Sequence, residues 1–241
     1  MRILLIKTGT TIASLLQQGE DFERWFLRGM GLQSGELTVC NVFSDEPLPA
    51  LATVDGIVIS GSPAFLTDFA PWNFVAAEFL RQANAEGIPV LGVCYGHQLL
   101  AWAFGGSVDF NPRGREIGSV SIELEAAAQD DLLFGGFPTS IDVQASHLQS
   151  VVQLPPGAQL LAGNDLDSNH GFRLGDRAWG VQFHPEFDAD IIRAYIRERA
   201  AELVAEGLDP QALLDGVKET EIANSLLRRF VSFVARQSGS A

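Results

Sequence analysis

Only two cysteines, Cys40 and Cys94, occur in 241 residues. A chain of this length buries a full core without covalent staples, which excludes a disulfide framework as its organising feature. Positive charge is also scarce. Sixteen Lys and Arg stand against thirty Asp and Glu, a net charge of −14. Such a surface repels phosphate backbones, and no local Lys/Arg run overrides it, so nucleic acid is not an expected partner. No apolar run approaches the ~18 residues of a membrane span. The N-terminus, Met1 to Lys7, reaches polar residues too early for a signal peptide. The expectation is a reduced, cytoplasmic protein with no membrane partner. Low-complexity tracts, internal repeats and zinc-like His or Cys spacings are missing too, so neither metal nor cofactor is expected.

What is present is an alternation of short apolar runs with segments of helical period, the pattern of a mostly parallel sheet covered by helices. Strands are expected at Ile3–Ile6, Leu37–Phe43, Gly56–Ile59 and Val90–Val93, the last apolar on both faces and therefore central. Helices are expected at Asp21–Met30, at Pro71–Ala85 with Phe74, Val75, Phe79 and Leu80 inward, and at Gln98–Phe104. From Ser107 to Phe183 short β-branched segments separated by turns predict an antiparallel extension, ending in a strand at Ala178–Phe183. Beyond it, Ile191, Ile192, Tyr195 and Ile196 form an apolar stripe continued by Leu203 and Val204. Asp209-Pro210 caps a new helix, and Ile222, Leu226, Phe230 and Val234 recur every four residues. The expected organisation is one α/β unit over 1–200 with a helical appendage, 201–241, packed on it.

The chemistry concentrates in Gly92-Val93-Cys94-Tyr95-Gly96-His97-Gln98. A strand ends and a helix starts within three residues, with one cysteine at the corner and glycines at minus two and plus two. This is the cysteine form of a nucleophile elbow. Side chains at Gly92 and Gly96 would collide in so sharp a turn. Cys94 would project above the strand ends, at a helix N-terminus whose partial charge and free N–H groups favour an anion. Such a nucleophile needs a base and an orienting group. His184-Pro185-Glu186 supplies both: residues i and i+2 of an extended segment point the same way, and Pro185 holds His184 extended. Cys40, inside an apolar alternation, reads as a small buried hydrophobe. His97 reads as structural and His170 as a loop residue. His147 has no carboxylate two residues on and is not the expected base. The Trp and Phe residues read as packing.

The elbow and the late His-Pro-Glu together resemble the class I (triad) glutamine amidotransferases, over about residues 1–200. Within that family the chain is most similar to the amidotransferase domain of GMP synthases and its free-standing homologues. The resemblance implies a flavodoxin-like α/β fold, and Cys94, His184 and Glu186 as a catalytic triad. It implies an oxyanion hole from the N–H of Gly61 or Ser62, in Ser60-Gly61-Ser62-Pro63, together with that of Tyr95. It also implies that Gln98 and the backbone of Ser146-His147 bind the amino-acid end of glutamine. Gly114-Arg115-Glu116-Ile117-Gly118 resembles a further family segment. The chain lacks a Ser-Gly-Gly-x-Asp-Ser nucleotide loop and a P-loop, which leaves three expectations open. Glutamine is hydrolysed for a separate synthase subunit; or γ-glutamyl amides and peptides are hydrolysed by the chain alone; or the fold serves as a non-catalytic binding or regulatory module.

Overall fold

A computed structural model describes residues 1–238. Residues 239–241, the end of the expected appendage, lie outside the described residues. The first half contains β1 (Ile3–Lys7), α1 (Ala13–Leu16), α2 (Phe22–Met30), β2 (Leu37–Asn41), β3 (Gly56–Ile59), α3 (Pro71–Ala85), β4 (Val90–Val93) and α4 (Tyr95–Ala103). Strands dominate the next stretch: β5 (Ser107–Phe110), β6 (Glu116–Leu124), β7 (Ser140–His147), β8 (Gln149–Gln153), β9 (Ala158–Gly163), β10 (Gly171–Leu174) and β11 (Ala178–Val181). Four helices close the chain, α5 (Ala189–Glu198), α6 (Ala200–Ala205), α7 (Pro210–Asp215) and α8 (Glu221–Ser238).

Among the described residues, nine strands form one mixed sheet in the order β2-β1-β3-β4-β11-β10-β9-β6-β7, and β5 pairs with β8 separately. The first five strands of that order run parallel and the remainder pair antiparallel, as expected. Period-2 alternation places β1 between two apolar layers. Ile3 and Leu5 join Trp25 and Phe26 of α2, Ile192 of α5 and Phe230 of α8. Leu4 and Ile6 join Ala76 and Leu80 of α3 with Leu99 of α4. The sheet is thus covered on both faces, which is why its parallel strands are continuously apolar.

One pairing positions the site. β11 lies parallel beside β4, with Ala178 opposite Val90 and Val181 opposite Val93. Both strands end at the same rim, so Cys94 and the segment Gln182–Glu186 emerge side by side despite the ninety residues between them.

Several boundaries and faces differ from expectation. β2 stops at Asn41 and Val42–Ser44 form a 3-10 turn, because the Glu46 carboxylate accepts both the backbone and side-chain N–H of Asn41, at 2.7 and 2.9 Å. α4 begins at Tyr95, immediately after the cysteine. Phe74 and Val75 are 53% and 59% exposed. α3 turns Phe79 and Leu80 inward as expected, but it is Ala76, Ala77 and Ala83, small residues that let it approach closely, that complete the buried face. Val204 is exposed because the helix breaks at Arg199 and α6 starts in a new phase, burying Leu203 alone. Ile222 is exposed in the first turn of α8, ahead of the buried Leu226, Phe230 and Val234. No helix of the described residues is long and apolar enough to cross a membrane.

Candidate active site

Cys94 alone turns the chain from β4 into α4. Its φ of 52° and ψ of −103° fall where L-residues rarely sit, at a cost of about 1–3 kcal/mol. Backbone bonds hold the turn: Cys94 N donates to Val181 O at 2.8 Å, and Gly96 N to Ser60 O at 3.1 Å. Contact explains both glycines. A Cβ on Gly92 would overlap the Gly96 carbonyl, and one on Gly96 would stand 2.5 Å from Ile59 O.

Past β11 the chain turns tightly, with Phe187 N donating to His184 O at 3.2 Å. Nδ1 of His184 lies 2.8 Å from Oε1 of Glu186. The imidazole stacks on Phe187, ring centroids 4.0 Å apart and planes 12° from parallel, which fixes its tilt. With Nδ1 committed to the carboxylate, the ring borders the same narrow cavity as Cys94, whose sulfur lies 3.9 Å from the Ser146 carbonyl. Burial alone would lower the pKa of His184. The charges of the Glu186 carboxylate and the Cys94 sulfur outweigh burial and raise it to about 10. Gly61 makes room for this ring, since a Cβ there would approach His184 Cε1 to 2.9 Å.

Cys94, Tyr95, Gln98, Ser62, Ser146 and His147 line one cavity of about 280 Å³. Gly61 is not part of that wall; it sits behind, against His184. A narrower cavity of about 70 Å³ opens on the His184 side of Cys94, bordered by Thr10, Thr11, Ile12, Tyr195 and Arg199.

Thr10, Thr11, Ile12 and Arg199 carry no local sequence signal, whereas Arg115 falls in the segment 114–118 singled out above. Arg199 occupies the break between α5 and α6. Arg115 reaches the larger cavity while bridging to Glu206 at 2.8 Å. Gln149 was findable, two residues beyond His147 on the same wall.

His147 has no carboxylate two residues on, but the neighbouring strand supplies one: Nε2 lies 2.9 Å from Glu116 Oε2. His170 is in a loop, as expected, but fully buried against the same oxygen at 2.7 Å. His97 is buried against Phe172, with ring centroids 5.0 Å apart. Sequence spacing held no metal-like cluster, yet in space the ligand-type atoms of Glu116, His147 and His170 all fall within 4.8 Å of one another.

The sequence profile of the family described as "Glutamine amidotransferase class-I" matches residues 17–200, which contain every residue of this site except the β1–α1 segment. The chain belongs to the class I glutamine amidotransferase family. Among amidotransferase relatives, a glutamine-hydrolysing GMP synthase of Porphyromonas gingivalis is 34% identical over 71% of this chain. The aligned part is only 31% of that enzyme, so this chain spans about a third of its length. Gamma-glutamyl peptidase 3 of Arabidopsis thaliana is 31% identical over 72% of this chain and 67% of its own. A solved glutamine amidotransferase from Thermotoga maritima superposes with a TM-score of 0.76 at 24% identity, covering 97% of both chains, and shares the fold.

Proposed function

We propose that the chain hydrolyses the side-chain amide of glutamine, with Cys94 as nucleophile, His184 as proton carrier and Glu186 as the group that orients it. The observation carrying this reading is the imidazole itself. It is paired with Glu186 at 2.8 Å and shares a narrow cavity with a cysteine that the fold keeps in a strained turn. Cys94 Sγ attacks the γ-carboxamide carbon, and negative charge moves onto the carbonyl oxygen. The N–H of Tyr95 and that of Gly61 or Ser62 receive it, and one such donor is worth about 10²–10³ in rate. Protonated His184 gives its proton to the amide nitrogen as the C–N bond breaks. Ammonia leaves and a γ-glutamyl thioester remains. Neutral His184 then takes a proton from the water that attacks the thioester, and glutamate departs. Gln98 and the Ser146-His147 backbone hold the amino-acid end of the substrate.

Purified protein is expected to release ammonia and glutamate from glutamine in equal amounts. Cys94→Ser should abolish this by roughly 10³-fold or more with the fold intact. Cys40→Ser should leave it unchanged, because that thiol is buried on β2, and burial and nearby Glu46 push its pKa up to about 11. Full activity in Cys94→Ser would end this reading.

The narrow cavity favours a second substrate class. About 70 Å³ exceeds what ammonia needs, as one water takes about 10–15 Å³ on such a measure. A γ-glutamyl amide of a small amine fits there, and the Arabidopsis relative is named for γ-glutamyl peptides. Mass-spectrometric identification of the amine released from a panel of γ-glutamyl amides separates the two, and a non-catalytic module releases none.

A synthase partner is part of the first reading, in line with the GMP synthase relative. Such a partner could act through Gly61, whose carbonyl accepts from Thr8 Oγ1 and Ser60 Oγ, each at 2.9 Å. Reorienting that peptide breaks both bonds, at about 0.5–1.5 kcal/mol each. Turnover near 10 per second without any partner, an ordinary enzyme rate, would count against one. Two free cysteines support a cytoplasmic location. We further propose 1–200 as the amidotransferase unit, with the later helices packed on it through Leu226 and Phe230.

A further inference from the structure

Beneath the larger cavity lies a second histidine–carboxylate assembly that the mechanism above does not use. Glu116 of β6 stands opposite His147 of β7 in the antiparallel ladder. Its Oε2 lies 2.9 Å from Nε2 of His147 and 2.7 Å from Nε2 of His170, and its Oε1 accepts from Asn164 Nδ2 at 2.7 Å. The Glu116 side chain is 5% exposed, that of His147 1% and that of His170 0%. A carboxylate this deep is tolerated only when it is compensated, and this one takes hydrogen bonds from His147 and Asn164 with His170 in ion-pair contact. Burial alone would raise the Glu116 pKa, but the His147 and His170 imidazoles beside it outweigh burial and hold the carboxyl well below the usual carboxylate range.

The other end of the assembly reaches the cavity wall. Nδ1 of His147 lies 3.1 Å from the Gln149 carbonyl, which can only accept, so this nitrogen donates. The same carbonyl accepts from Gln98 Nε2 at 2.8 Å. The Gln149 side chain accepts from Leu66 N at 3.0 Å and donates to Thr67 Oγ1 at 2.6 Å. One connected set of hydrogen bonds therefore joins three segments: the β7–β8 corner, the first turns of α4 and the loop after β3. All three line the cavity.

We propose that Glu116 is a positioning residue for substrate binding, with His170 as its second support. Through His147, Glu116 fixes the Ser146–Gln149 backbone and Gln98, the surfaces that receive the α-amino and α-carboxylate groups of a γ-glutamyl substrate. This rests on the functional reading above. The competing occupant of the cluster is a metal ion. Ligands about 2.0–2.1 Å from a tetrahedral zinc stand roughly 3.3 Å apart, whereas these atoms lie 2.7 and 2.9 Å from one another, too close to be neighbouring ligands of one ion. The geometry is that of a hydrogen-bonded cluster.

The test is a split between binding and chemistry. Glu116→Gln preserves size but replaces one acceptor oxygen by a donor that faces a histidine or Asn164. The KM for glutamine should rise about 10- to 100-fold, with kcat within about threefold of wild type. The rate of Cys94 alkylation by iodoacetamide, which has no amino-acid end, should not change. If Glu116→Gln does not fold, position 170 carries the same test. His170→Gln keeps a donor and should hold KM near wild type, whereas His170→Leu should raise it. A fall in kcat with KM unchanged, parallel loss of iodoacetamide reactivity, or a stoichiometric metal whose removal abolishes activity would each overturn the proposal. A wild-type protein that turns over glutamine while Glu116→Gln leaves KM untouched refutes the positioning role alone. A wild-type protein with no turnover refutes the functional reading, and the positioning role falls with it.

Discussion

Two histidines of this fold are each hydrogen-bonded to a glutamate carboxylate, His184 to Glu186 at 2.8 Å and His147 to Glu116 at 2.9 Å. Both pairs are buried, and distance alone does not separate them. The difference lies at the opposite ring nitrogen. In His147 it meets a backbone carbonyl, and the ring becomes a strut within the cavity wall. In His184 the rest of the ring borders the narrow cavity that Cys94 also lines. A histidine–carboxylate pair marks a proton carrier only when its second nitrogen faces a reacting atom; otherwise it is scaffolding. The pairs also differ in how they are built. His184 and Glu186 are two residues apart in the sequence, whereas His147 and Glu116 meet across a strand ladder.

Breaking the pair at Cys94 should give the largest effect. His184→Ala is expected to lower kcat/KM for glutamine by about 10³-fold, the scale of a lost general acid–base. Glu186→Gln removes the orienting charge but not the proton carrier, so its loss should be smaller, about 10- to 100-fold. The reverse ranking in steady-state kinetics would reassign the base.

That pair should also set the alkaline limb of activity. His184 must be protonated to release the amine, and its pKa is raised to about 10. Activity should therefore fall as pH rises through that value. Glu186→Gln removes one of the charges that raise it, so the limb should move to lower pH. A kcat/KM–pH profile reads this directly, and an unmoved limb would detach Glu186 from His184. The same raised pKa makes a stabilising contribution that is full below the unfolded value of about 6.5 and lost as pH rises through about 10.

The smallest effect is expected at a third histidine, which has no carboxylate on its ring. Burial lowers His97 to about 3, so it is neutral at pH 7. His97→Leu should cost about 1–2 kcal/mol of stability and leave kcat within a few-fold, measured by denaturant unfolding and kinetics. A large loss of kcat would mean that His97 takes part in the site.

What was legible in the sequence was compact. The elbow and the His-Pro-Glu triplet place their chemistry within a few consecutive residues, and β1, β3, β4 and α3 are plain apolar runs or helical periods. What escaped depended on distant residues. The Glu116–His147 pair follows from strand register, and nothing near His147 announces it. The inward face of α3 was set by the approach of α4, so Ala76 and Ala83 were buried and Phe74 was not. The break at Arg199, which ended an apparently continuous stripe, left Val204 outside.

The most direct test of the account is saturation labelling by a thiol-reactive glutamine analogue, with the adduct located by mass spectrometry. The account predicts one adduct per chain, on Cys94 and not on Cys40, with activity lost in step. It also predicts that His184→Ala slows the limiting labelling rate and Glu116→Gln weakens only the half-saturating concentration. An adduct elsewhere, or full labelling of Cys94 with activity retained, would contradict it.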